Sequence, residues 1–165
     1  MSEAIVIGFG GNVGSEGEIL ERFRRAREAL QQLGELRSAP LYRTQPVGPM
    51  QPPYLNTAVR LRSADVQPAE LISTLLELER LLGRIRPHAR WGPRAIDLDV
   101  LVWGDRIVKT PELEVPHPRL AERRFALEPL TALLGESFVV PDQGDLAALL
   151  GRVRTQAVEQ IAETW

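Results

Sequence analysis

AIVIGFGGNVGSEGEILERFRRAREALQQLG, residues 4 to 34, reads as a single β-to-α unit and decides the class of fold. Residues 4 to 9 are an apolar run ending in glycines, the pattern of a buried strand that opens into a tight loop. Residues 16 to 33 then place Ile19, Phe23, Ala26, Leu30 and Leu33 at three-to-four spacing with charges between them. That periodicity predicts an amphipathic helix, and Gly34 just beyond it suits a helix C-terminus.

Working outward, residues 36 to 43 read as extended, and TQPVGPMQPPY, residues 44 to 54, carries four prolines and a glycine. Proline lacks the amide proton and fixes φ, so this stretch is an irregular loop, neither helix nor interior strand. Residues 55 to 61 alternate as a half-buried strand does, and Pro68 opens a second helix with Leu71, Leu75, Leu78 and Leu82 on one face and Gly83 at its end. RIRPHARWGPR, residues 84 to 94, is loop-like and basic. Residues 96 to 103 form a strong strand, and Gly104-Asp105 with residues 106 to 109 predicts a β-hairpin. A helix over 123 to 134, a strand at 138 to 140 and a helix at 146 to 150 follow, with no clear reading of the end. The order βαββαβ with an added hairpin predicts an α+β fold of the ferredoxin-like class, helices packing on a largely antiparallel sheet. Without repeat or linker, residues 1 to 165 are expected to form one domain, and 44% hydrophobic content is enough for its core.

Composition removes several chemistries. The absence of cysteine excludes thiol catalysis, Cys-ligated zinc and disulfides, and two histidines are too few for most zinc sites, so any metal must sit on oxygen ligands. The first residues lack a basic flank and a long apolar run, which predicts a cytoplasmic protein with no signal peptide and no membrane partner. A net charge of −2 and nine aromatic residues argue against a nucleic-acid partner. Lys109 is the sole lysine among 20 basic residues, so nearly every cation is a planar fork suited to phosphate or carboxylate.

Asp97-Leu98-Asp99 lies inside the apolar stretch AIDLDVLVW. Residues two apart on a strand share a face, so both carboxylates point the same way. Such a pair repels itself unless a cation intervenes, and oxygen pairs suit Mg²⁺ bound together with substrate phosphates. A solvated strand edge is the plain alternative, but Arg84, Arg86, Arg90 and Arg94 stand immediately upstream. Arginine and Mg²⁺ are what phosphoryl-type transfer needs, since it depends on charge neutralisation and in-line positioning. No G-x-x-x-x-G-K-[ST] is present, and the Gly8-x-Gly10 pair lacks the third glycine of a dinucleotide fingerprint. Tyr54 and Asn56 offer an aromatic face and an amide one strand position apart, with Phe125 a second aromatic, as a flat heterocycle requires. Core packing is the competing reading for both aromatics, and His117 between two prolines is either a phosphate donor or a turn residue.

Taken in order, FGGNVG, LYRTQPVGPMQPPYLN, GRIRPHARWGPRAIDLDVL and VPHPRLAERRFALEPL closely resemble the signature segments of the 6-hydroxymethyl-7,8-dihydropterin pyrophosphokinase family, over about residues 5 to 134. The resemblance implies a ferredoxin-like α/β sandwich that moves diphosphate from ATP to the pterin hydroxymethyl group, releasing AMP. It implies two Mg²⁺ on Asp97 and Asp99, in-line attack at the β-phosphorus, and Asp97 helping to deprotonate the hydroxyl. Arg84 and Arg94 would stabilise phosphate charge, with Arg86, Arg90, Trp91, His117 and Arg123 as further ATP contacts and Glu79 near the nucleotide. The pterin would lie between Tyr54 and Phe125, bonded by Asn56 and by backbone of Thr44, Gln45 and Val47, with Trp91 closing over it. Departures from the family pattern fall at Gly11, Leu76, Glu112 and Glu114, and the loop before Tyr54 is short. A monomer is expected. The alternatives are a D-x-D nucleotide-sugar transferase, which leaves Arg94 and Asn56 unexplained, and a non-catalytic ferredoxin-like nucleotide-binding module.

Overall fold

The computed structural model describes residues 3–46, 50–83 and 93–165. Val47, Arg84, Arg86, Arg90 and Trp91 therefore lie outside the described residues.

Strand β1 (Glu3–Gly11) leads into helix α1 (Glu16–Leu30), whose start is fixed by a capping box. Ser15 Oγ accepts the Glu18 amide proton at 3.2 Å while the Glu18 carboxylate accepts that of Ser15 at 3.4 Å. A 3-10 turn (Gln31–Leu33) ends the helix before Gly34, as the spacing predicts. The extended stretch that follows is two strands, β2 (Glu35–Ser38) and β3 (Leu41–Thr44), broken at Ala39-Pro40. Both pair with the long β4 (Tyr54–Ser63), β2 along its second half and β3 along its first. Helix α2 (Pro68–Leu81) starts with proline in its first turn and leads, beyond Pro93, to β5 (Asp97–Trp103).

With the last strand, β10 (Val158–Ala162), the six-stranded sheet runs β10-β3-β4-β1-β5, with β2 also on β4 and every described pairing in it antiparallel. β1, central and flanked by β4 and β5, gives the ferredoxin-like order. Alternation sorts side chains to two cores. Ile5, Ile7 and Phe9 meet Phe23 and Leu30 of α1 and Leu71 and Leu75 of α2 on one face. Val6, Ala58 and Val102 meet helix α3 (Arg124–Leu134) and helix α4 (Leu146–Arg152) on the other. A bulge at Leu101, between the pairs Ile7–Val100 and Val6–Val102, turns Leu101 and Val102 to the same face. Among the described residues no helix is long and apolar enough to cross a membrane.

One expectation changes, and the end of the chain, without a clear reading in the sequence, gains one. The predicted hairpin after Gly104 does not form: β6 (Val108–Lys109) pairs with β7 (Glu114–Val115), not with β5. The outer edge of β5 is taken by other groups, since Leu98 N–H donates to Glu79 Oε2 at 2.9 Å and Leu101 C=O accepts from His117 N–H at 2.9 Å. The end of the chain is also ordered. After a small hairpin of β8 (Val139–Val140) and β9 (Gly144–Asp145) and then α4, β10 (Val158–Ala162) pairs with β3 and extends the sheet. Trp165 pins it: its ring lies 5.8 Å from Phe9 and 6.0 Å from Phe23, its Nε1–H donates to Ala39 C=O at 2.8 Å, and the Arg27 guanidinium stacks on it.

Candidate active site

On the face covered by α3, β1 presents Val6, Gly8 and Gly10 in turn. Val6 is buried under α3, but the two glycines add no side chain, so bare backbone floors a cleft of about 620 Å³. A Cβ at Gly10 would stand 3.0 Å from Asn56 Nδ2, so any side chain there would push on that amide. Register does the rest. Gly10 is opposite Asn56 of β4 on one side and Asp97 of β5 on the other, and Gly8 is opposite Asp99.

Of the residues expected from sequence, Thr44, Gln45, Tyr54, Asn56, Arg94, Asp97, Asp99, His117, Arg123 and Phe125 line this one cleft. Asn56 is buried, and its Oδ1 accepts the Thr44 hydroxyl proton at 2.6 Å, which turns its Nδ2 toward Gly10. Burial pushes the Tyr54 phenol up, Asp97 adds to this and Arg94 opposes it, so the ring stands within the field of both charges. Arg94 Nη1 is 3.6 Å from Asp97 Oδ1, and its Nε is buried with no hydrogen-bond partner among the described residues. A donor in that state fits an incoming anion. Burial and neighbouring Arg119 lower the Arg123 pKa, while Asp99, Glu122 and Asp97 raise it. The Arg123 guanidinium lies 5.6 Å from the Phe125 ring.

A second cavity of about 530 Å³ opens beside β5, with Glu79, Leu76, Glu112 and Glu114 in its wall. Leu76, Glu112 and Glu114 are three of the four positions at which the resemblance implies a departure from the family pattern. Asp99 and His117 line both cavities. Burial, with help from Arg123 and Arg119, drives the His117 pKa down to about 4, and its Nδ1 accepts the Arg119 amide proton at 3.1 Å. The ring is thus a neutral imidazole whose other nitrogen is the donor. Glu79 is 3% exposed, and its carboxylate holds the Leu98 amide between the two aspartates.

Asp97 and Asp99 fit magnesium. They are oxygen donors on one face of a strand, opposite Gly10 and Gly8, and both line the cleft. Two carboxylates that leave other ligand positions to phosphate and water are a usual Mg²⁺ arrangement.

Sequence reasoning missed three contributors. Asn12 sits in a glycine-rich loop that reads as a turn, yet it is 1% exposed and bonds to two distant segments. Gln156 and Ala157 complete the cleft wall. The Gln156 amide bridges Glu122 C=O at 2.7 Å and Arg124 N–H at 2.9 Å, bracketing Arg123 and steadying the start of α3 that carries Phe125.

Known proteins share this fold and sequence. Wild-type Plasmodium falciparum HPPK-DHPS has a crystal structure that matches 92% of this chain and 45% of that one, with a TM-score of 0.66 at 12% identity, a likeness of fold. Residues 6–135 match the model of 7,8-dihydro-6-hydroxymethylpterin-pyrophosphokinase (HPPK), and the chain belongs to that family. The 2-amino-4-hydroxy-6-hydroxymethyldihydropteridine pyrophosphokinase of Synechocystis sp. is 36% identical over 159 residues, covering 94% of this chain and 75% of that protein. Its namesake from Pseudomonas aeruginosa is 32% identical over 164 residues, covering 98% of both.

Proposed function

We propose that the chain transfers diphosphate from ATP to 6-hydroxymethyl-7,8-dihydropterin, giving AMP and the pterin diphosphate. Family membership supports the reaction, and one observation carries it to this site: a cleft lined by Tyr54, Asn56 and Phe125 and a second cavity meet at Asp99 and His117, beside Asp97. The pterin ring lies between Tyr54 and Phe125, with Asn56 reading its edge. Adenosine takes the second cavity, and the phosphates lie across the junction under Arg94 and Arg123.

The pterin hydroxyl oxygen attacks the β-phosphorus in line, its proton passes to the Asp97 carboxylate, and the bond from the β-phosphorus to the oxygen bridging the α-phosphorus breaks as AMP leaves. His117 donates to a phosphate oxygen as a neutral ring. Arg94 and Arg123 meet the charge of the non-bridging oxygens without reorganising. Magnesium, when held by Asp97 and Asp99 with substrate oxygens, supplies further charge neutralisation. Arg84, Arg86, Arg90 and Trp91 join this set through the family resemblance.

The test is product analysis with purified protein, ATP, Mg²⁺ and 6-hydroxymethyl-7,8-dihydropterin, with metal and pterin omitted in controls. AMP and the pterin diphosphate are expected. ADP would mean transfer of a single phosphoryl group, and no turnover would return the nucleotide-sugar transferase and the non-catalytic module to contention.

A further inference from the structure

Asn12 uses its whole side chain to join two stretches that flank the cleft. An asparagine amide has two N–H donors and one carbonyl acceptor. Here Nδ2 donates to Gln51 Oε1 and to Pro52 C=O, each at 2.9 Å, and Oδ1 accepts the Arg94 amide proton at 2.8 Å. The Asn12 amide N–H in turn donates to Arg94 C=O at 2.9 Å. Arg94 is therefore clasped on both sides of its peptide unit by one residue. Pro52 stands two residues before Tyr54, Arg94 three before Asp97, and Asn12 two after the floor glycine Gly10.

We propose that Asn12 is a positioning residue that locks the Tyr54 side of the cleft to the Arg94 side, so that the ring and the phosphates are held in one register for transfer. The inference rests on the function proposed above. Asn12 lines neither cavity, so it acts through Arg94, the Gln51 side chain and the Pro52 carbonyl rather than by touching substrate. The amide is hard to replace. Aspartate has the shape but would set an oxygen against the two acceptors of Gln51 and Pro52, and leucine removes the donor to both and the acceptor of the Arg94 N–H. In-line transfer is sensitive to such slack, since a misplacement of about 1 Å costs about 100-fold in rate.

The experiment compares wild type, Asn12→Leu, Gln51→Leu and the double variant. Steady-state kinetics with ATP and 6-hydroxymethyl-7,8-dihydropterin are read beside calorimetric titration with α,β-methylene-ATP, and circular dichroism reports folding. Wild-type turnover to AMP secures the underlying reading first; its absence would sink that reading by itself. Expected for Asn12→Leu are a kcat loss of about 100-fold, nucleotide Kd within about threefold of wild type, and binding stoichiometry unchanged. A merely structural role would lower stoichiometry in proportion to kcat. Should Asn12→Leu fail to fold, Gln51→Leu decides: a kcat loss of about tenfold at full stoichiometry supports the coupling, and unchanged kcat overturns it. Where both variants fold, a double variant no slower than Asn12→Leu supports a shared path, and a loss equal to the product of the single losses overturns it.

Discussion

The Glu79 carboxylate accepts the Leu98 amide proton at 2.9 Å, from a buried position on α2. Leu98 is the residue between the two aspartates, so the acid that caps the edge of β5 also fixes the backbone from which Asp97 and Asp99 project. Removing the acceptor leaves a buried N–H unpaired, while glutamine keeps an acceptor of the same shape. Glu79→Leu is expected to lower stability by about 1–3 kcal/mol and to cost activity, and Glu79→Gln to retain most of both. Denaturant unfolding followed by the coupled AMP assay checks this, and a stable, fully active Glu79→Leu would refute it.

Asp97 faces the cleft opposite Gly10 with Arg94 beside it. Asp97→Asn keeps size but removes the charge and exchanges one acceptor oxygen for a donor, and turnover is expected to fall by at least about 1000-fold with folding intact. Activity within tenfold of wild type, across a magnesium titration, would end the assignment of this residue to metal and proton.

Tyr54 contributes a ring to the first cleft and none to the second cavity. Tyr54→Ala should weaken pterin binding by about 1–2 kcal/mol, roughly 5- to 30-fold, and leave nucleotide affinity unchanged. Titrations with each ligand separate the two, and equal losses would mean that Tyr54 is core rather than site.

Burial holds the His117 pKa at about 4, below its ordinary 6.5. Between those values the unfolded chain takes up a proton that the folded protein refuses, so stability is full above about pH 6.5 and declines as pH falls toward 4. The contribution is on the order of 2 kcal/mol after allowance for partial solvent screening. In His117→Asn this portion of the pH dependence should vanish, which thermal denaturation from pH 7 to pH 4 would reveal; an unchanged slope would contradict it.

Much of this was legible in the sequence because local periods carry it. The three-to-four spacing of Ile19, Phe23, Ala26 and Leu30 gave α1, and the two-residue period of β5 put both carboxylates on one face. The hairpin at Gly104-Asp105 misled because a turn signal says nothing about edge occupancy, and Glu79 and His117 come to that edge from other parts of the chain. The tail gave little warning for a similar reason. Val158–Ala162 is mostly exposed or half-buried, and the contacts that hold it run from Trp165 to Phe9, Phe23, Arg27 and Ala39, more than 120 residues away. Asn12 reads as an ordinary loop asparagine until residues 51, 52 and 94 are brought to it.

The bare glycine between Asn56 and Asp97 makes the sheet a ruler. Asn56 and Asp97 sit on the two strands that flank β1, so two strand spacings, about 10 Å, separate the backbone of the proposed ring-edge contact from the backbone of the Asp97 carboxylate. Neither end can slide, because each is fixed by backbone pairing to the same residue. With the pterin bound as proposed, chain length is measured as well as ring shape: a pterin whose hydroxyl stood one methylene farther out would overshoot by about 1.5 Å and forfeit alignment even with its ring fully bound.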